Sequence, residues 1–192
     1  LDAVSEVPRY YVYNAYGVCG IYSAPGTAVK EAYDTSGIVT NDRGVTVWLK
    51  GNRVSRNQIM AIKEESVTEQ KNSLAVCLDN ILRHAGITRN TEYDLAQGKT
   101  ATTILSENMT GVQVLDLSGC TLDAVLYYVN QDIPVLAILE DGEAVLVTGF
   151  NEFNVVIMEP ATGKLYKKGM NDATAWFAEN GNHFITYMRT EN

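Results

Sequence analysis

Cysteine and histidine are scarce in this chain. Its 192 residues hold three cysteines, Cys19, Cys77 and Cys120, widely spaced and with no Cys-x-x-Cys pair, and two histidines, His84 and His183. A structural zinc site needs four Cys or His donors at short, fixed spacings, so that class is excluded. The odd cysteine count does not fix a compartment, because an exported bacterial protein can carry few or no disulfides. No apolar run approaches the ~18 residues that cross a bilayer. No charged-then-apolar leader follows Leu1, so any signal or anchor is expected to have been removed or to lie outside these residues. Positive charge is also short, with 15 Lys and Arg against 23 Asp and Glu and a net charge of −8. The deficit is uneven: residues 1–64 carry seven Lys/Arg against six Asp/Glu, and residues 65–192 carry eight against seventeen. Such a surface repels phosphate backbones, which argues against a nucleic-acid partner.

What is present is enough apolar residue, 46% of the chain, to bury a real core as one domain or two small ones. Residues 1–64 read as a small ββαββ module and its connector. Tyr10–Tyr13 and Val18–Tyr22 are β-rich runs separated by the hairpin signal Asn14-Ala15-Tyr16-Gly17. The stretch Ser23–Thr27 breaks the strand and caps a helix over residues 28–33, which Gly37 ends. Strands over 38–40 and 45–49 then flank the turn Asn41-Asp42-Arg43-Gly44. Aromatic residues crowd this module. They either close a core too small for aliphatics alone or present a platform for a glycan or peptide. Alternation places Tyr11 and Tyr13 on one face and Val12 on the other, and Tyr11, Tyr13 and Trp48 are the candidate binding residues. The polar stretch Arg53–Glu65 is the connector and is expected to lie along the second domain. No Gly/Ser/Pro-rich linker follows it, so the module is expected to pack its apolar face on the rest of the chain.

Residues 65–192 read as an α+β domain. Ser66-Val67-Thr68-Glu69 matches a capping box, directly before a run in which Leu74, Cys77, Leu78, Ile81, Leu82 and Ala85 recur at helical spacing, with Gly86 as the stop. Cys77, on the apolar side of that run, reads as a small buried hydrophobe. Helical pieces are expected at 91–97 and 101–108, a strand at 112–117, and an amphipathic helix begun by Thr121. Strands at 134–139, 144–150, 154–158 and 164–168, a helix near 172–179, and a last strand at 184–188 complete an antiparallel sheet with one helix packed on it.

The helix body Ser73-Leu74-Ala75, the strand Val145-Leu146-Val147-Thr148-Gly149-Phe150 and the turn Pro160-Ala161-Thr162-Gly163 resemble those of a papain-like cysteine peptidase domain. The type is the bacteriocin-processing one, which cleaves leader peptides after a double glycine. The resemblance covers roughly residues 65–189 and implies a papain-like fold. In that family a Cys in a Cys-Gly-Pro setting opens the helix, a His begins the strand, and an Asp precedes the Pro. Here those three positions fall on Glu69, Glu143 and Glu159. A carboxylate at a helix N-terminus enjoys the same dipole as a thiolate but is a far poorer acyl acceptor. Three replacements together imply an inactive relative with no catalytic residues of its own.

Each glutamate also has an ordinary explanation: Glu69 as part of the capping box, Glu143 as a solvated turn residue, Glu159 as a polar strand end. Were the three to converge on one cleft, like charges would raise at least one pKa, or the set would hold a hard cation such as calcium or a ligand's amine. Otherwise no cofactor is expected. The alternative enzyme would use Cys77 with His84 or His183. Cys77 and His84 lie ~10 Å apart along one helix at 1.5 Å per residue, too far for proton transfer. The reading is therefore a non-catalytic, peptidase-like bacterial protein, extracellular or at the cell surface, that binds a peptide or an envelope component. An active peptidase with a rearranged site and a structural spacer of a larger surface protein are the alternatives.

Overall fold

The computed structural model describes residues 7–50 and 72–190. Residues 7–50 form β1 (Tyr10–Asn14), β2 (Gly17–Tyr22), α1 (Pro25–Thr35), β3 (Ile38–Asn41) and β4 (Thr46–Leu49). The four strands make one antiparallel sheet in the order β2-β1-β3-β4. The turn between β3 and β4 follows from its residues: the Asn41 side-chain oxygen accepts from the N–H groups of Arg43 and Val45, both at 2.9 Å, and Gly44 takes φ +77°. Helix α1 begins earlier than its apolar residues suggest. Its N-cap is Ala24, with no side-chain bond, and Pro25 stands in the first turn, where its fixed φ suits the helix and its missing N–H costs nothing.

Residues 72–190 add α2 (Ser73–His84), α3 (Thr91–Ala96), α4 (Ala101–Asn108), β5 (Val112–Asp116), α5 (Leu122–Val129), β6 (Val135–Ile138), β7 (Ala144–Phe150), β8 (Asn154–Glu159), β9 (Lys164–Gly169), α6 (Met170–Glu179) and β10 (His183–Arg189). The six strands form an antiparallel sheet in the order β5-β10-β6-β7-β8-β9. Thr121 caps α5, its hydroxyl accepting from Ala124 N–H at 3.4 Å. Two expectations need correction. Helix α2 is capped by Asn72, whose side-chain oxygen accepts from Leu74 N–H at 2.8 Å and Ala75 N–H at 3.4 Å, and not by the Ser66–Glu69 box. The sheet is also covered by more than one helix. All seven residues of β7 are buried, and α2 and α5 both pack on β6 and β7. Helices α3 and α4 pack with α2, and α6 with α5, so the sheet carries helices on both faces. Ser66–Glu69 themselves, the Arg53–Glu65 connector and the boundary at residues 64 and 65 lie outside the described residues.

The two sheets share one continuous core. Trp48 Nε1–H donates to Ala124 O at 2.9 Å, Tyr128 OH to Val47 O at 2.8 Å, and Gln113 Nε2–H to Tyr10 OH at 2.6 Å. Gly26 marks the closest approach: a Cβ there would lie 2.8 Å from Ser118 O, and its own carbonyl accepts the Cys120 thiol at 3.2 Å.

Candidate functional site

The N-terminus of α2 meets the start of β7, where the Ser73 hydroxyl oxygen accepts from Ala144 N–H at 2.9 Å. Leu146 pairs with Met158, so the start of β7 and the end of β8 lie at the same end of the sheet. Glu143 and Glu159 flank this junction, and each bonds within its own turn. The Glu143 side chain is exposed; its N–H donates to the Asp141 carboxylate at 2.9 Å and its carbonyl accepts from Leu139 N–H at 2.7 Å, which makes it part of the β6–β7 turn. Glu159 is half-buried, with Oε1 accepting from Ala161 N–H at 3.2 Å in the turn after Pro160, and it stands opposite Lys164 on β9. Glu69 lies outside the described residues, so the three carboxylates are not seen as a set. Among the described residues no group of three His, Cys, Asp or Glu side chains is arranged to hold a metal ion.

All the chain's cysteines and histidines are described, and the structure does not pair a thiol with an imidazole. Cys77 sits wholly buried inside α2; burial first, and the nearby Glu159 charge second, push its thiol well above the ordinary range. Cys120 is also buried and is pushed up to about 12, mainly by burial. Cys19 alone is exposed, on β2. His84 ends α2, its Nε2 2.8 Å from Asp132 O, and His183 begins β10, opposite Ile138 of β6. Both cysteines that lie within the core are held in the protonated, unreactive form.

The proposed binding residues divide. Trp48 is buried and not on any platform: its ring lies between those of Tyr33 and Tyr127, with centroids at 6.1 and 6.2 Å. Val47 and Trp48 of β4 are both buried, and α5 bonds to each: Tyr128 OH donates to the Val47 carbonyl and the Trp48 indole N–H donates to the Ala124 carbonyl. Tyr11 is half-buried and Tyr13 exposed, on the face opposite Val12. The register makes Tyr13 part of a larger feature. It pairs with Val18 of β2 and Ile38 of β3, and Ile38 pairs with Leu49 of β4. The result is an apolar row across all four strands, with Val18 53%, Tyr13 37%, Ile38 43% and Leu49 39% exposed. Ile21, paired with Tyr11, extends it. Val18, Ile38 and Leu49 were not identifiable as surface residues, because each sits in a run that reads equally well as core, and only strand pairing puts them side by side.

No protein-family model and no curated protein matches the sequence. Among solved structures the fold is similar to one described as a putative C39-like peptidase from Bacillus anthracis, with a TM-score of 0.60 and 12% identity over 72% of this chain and the whole of that one. The molecule is thus a mixed α/β protein with two antiparallel sheets and the fold of a C39-like peptidase. Among the described residues no helix is long and apolar enough to cross a membrane.

Proposed function

We propose that this chain is a non-catalytic protein on a C39-like peptidase fold, placed outside the cell or at its surface, where it binds a peptide or a component of the cell envelope. The observation that carries the binding half is the apolar row Val18, Tyr13, Ile38 and Leu49 on the outer face of the four-stranded sheet. Contiguous exposed apolar surface on a soluble protein marks an interaction site far more often than scattered single residues do. An aromatic ring flanked by aliphatic side chains suits the apolar face of a peptide or of a glycan ring. The non-catalytic half is supported by the absence of a thiol–imidazole pair, since transfer of a proton from Cys to His requires about 3 Å between them. The resemblance and the Tyr-rich composition, 11 Tyr in 192 residues, favour the placement outside the cell.

The test is binding of the wild-type protein to an array of immobilised peptides and to insoluble peptidoglycan, alongside Tyr13→Asp and Ile38→Asp. Both substitutions are at exposed positions and leave the core intact. Specific capture of one of the two ligand classes by wild type, lost in both variants, is the expected outcome. Capture that is unchanged in both variants, or no capture of either class, overturns the proposal.

A further inference from the structure

Each of the two sheets has two edge strands, and three of these four edges are covered or charged. On β4 the Tyr128 hydroxyl takes the Val47 carbonyl, and Val47 and Trp48 are both buried. Helices α1 and α4 pack against β5, and a Cβ on Gly26 of α1 would lie 3.3 Å from the Asp116 carbonyl oxygen of that strand. Strand β9 carries Lys164, Lys167 and Lys168, and lysines on an edge discourage a further strand from pairing with it. The fourth edge is β2. Its sequence Gly-Val-Cys-Gly-Ile-Tyr has no charge and no proline, four of its six residues are exposed, and among the described residues no strand pairs with its outer side. The main-chain N–H and C=O groups of such an edge are a template for one more strand. A bulge can also spoil an edge, and β2 has one at Cys19, between the pairs Val12–Gly20 and Tyr13–Val18. Here it has a different effect. Val18 and Ile21, three positions apart, would face opposite sides of a regular strand, and the extra residue turns both to the face that holds Tyr11 and Tyr13. The apolar row therefore runs to the open edge, where Val18 is 53% and Ile21 58% exposed.

We propose that β2 takes an extended, uncharged peptide as a fifth strand of this sheet, with apolar side chains at alternate positions beside Val18 and Ile21. Two observations favour this occupant over a second copy of the chain. The row amounts to five large side chains, Val18, Tyr13, Ile38, Leu49 and Ile21, against the roughly 20–30 residues a side of a standard protein–protein interface. A second copy would also bring a further net charge of −8 to a surface where neither β1 nor β2 holds a cation. In strand addition the main-chain hydrogen bonds supply affinity and the alternate side chains supply selectivity. The inference rests on the binding reading and deepens it, naming the ligand as a peptide and the contact as backbone pairing.

The experiment is NMR titration of the full chain with acetylated, amidated heptapeptides in which Thr alternates with Val, Leu, Lys or Asp, together with amide exchange in heavy water. The Val and Leu peptides are expected to bind at millimolar concentration or below and to slow exchange of main-chain amides within Gly17–Tyr22. The Lys and Asp peptides should bind more weakly by about tenfold or more. A strand turns successive N–H groups to opposite edges, so N-methylating one alternate set of the Val peptide should weaken binding by about tenfold or more, and methylating the other set should leave it unchanged. Ile21→Lys puts on β2 the charge that β9 carries, at an exposed position, and should weaken the Val peptide without moving the unfolding midpoint. No binding of the Val and Leu peptides, or equal effects of the two methylated sets, overturns the proposal. A dimer in sedimentation that Ile21→Lys disperses also overturns it, by placing a second copy on the edge. Peptides that are captured through Tyr13 and Ile38 without slowing exchange in β2 would overturn this inference and leave the sheet-face reading standing.

Discussion

At the scale of single residues, the cysteines bear on the proposal that this fold is non-catalytic here. In a cysteine peptidase the thiolate is stabilised at a helix start and held charged by a histidine. Here Cys77 lies inside α2, where burial and Glu159 both oppose the thiolate, and Cys120 is pushed up to about 12. Iodoacetamide near neutral pH should therefore add one label to the folded protein, at exposed Cys19. The same shift has a consequence for stability. The Cys120 thiol ionises near 9.0 when unfolded and near 12 when folded, so the unfolded chain releases its proton first and stability falls as pH rises from about 9 through 12. Below pH 9 the thiol is protonated in both states and contributes no slope. Urea midpoints measured at about pH 8 and about pH 10.5 should fall less in Cys120→Val than in wild type; an equal fall in both would show that the buried thiol is not the cause. Trp48 shows the limit of reading at this scale. Nothing in Val45–Leu49 distinguishes an exposed ring from one that reaches across to Ala124, 76 residues away.

At the scale of elements, the sequence was most legible where a local signal suffices. The Thr121 cap, the strand 144–150 and the short helix 101–108 all stand where their capping groups and apolar periodicity put them. It was least legible where a distant element decides. The continuous apolar run of β7 fits a strand under one helix as well as a strand between two, and only the packing of both α2 and α5 settles it. For helix α2 the Ser66–Glu69 box reads as the cap, because its pattern offers reciprocal bonds. Asn72 caps the helix instead, with one oxygen serving two N–H groups. Asn72→Ala should cost about 1 kcal/mol in the free energy of unfolding from denaturant titration. A change near zero would place the cap elsewhere. The candidate site suffered similarly. Alternation alone identified Tyr11 and Tyr13, whereas the rest of the apolar row depends on the register of four strands.

At the scale of the whole molecule, the four-stranded sheet and the six-stranded sheet are bound into one core. Trp48, Tyr128 and Tyr10 each satisfy a polar atom across the contact between them, and Gly26 permits backbone approach that a side chain would block. A sheet of four short strands with one helix buries little by itself. The protein should accordingly unfold in a single calorimetric transition, with the van't Hoff and calorimetric enthalpies agreeing. Two separated transitions would mean that these contacts do not couple the sheets.

The proposed function has a peptidase fold persisting here without its chemistry. The direct measurement is mass spectrometry of a double-glycine leader peptide incubated with wild-type protein and with Cys77→Ala. The account predicts intact peptide in both incubations. Cleavage by wild type that disappears in Cys77→Ala would contradict it, because the thiol buried within α2 would then be a working nucleophile.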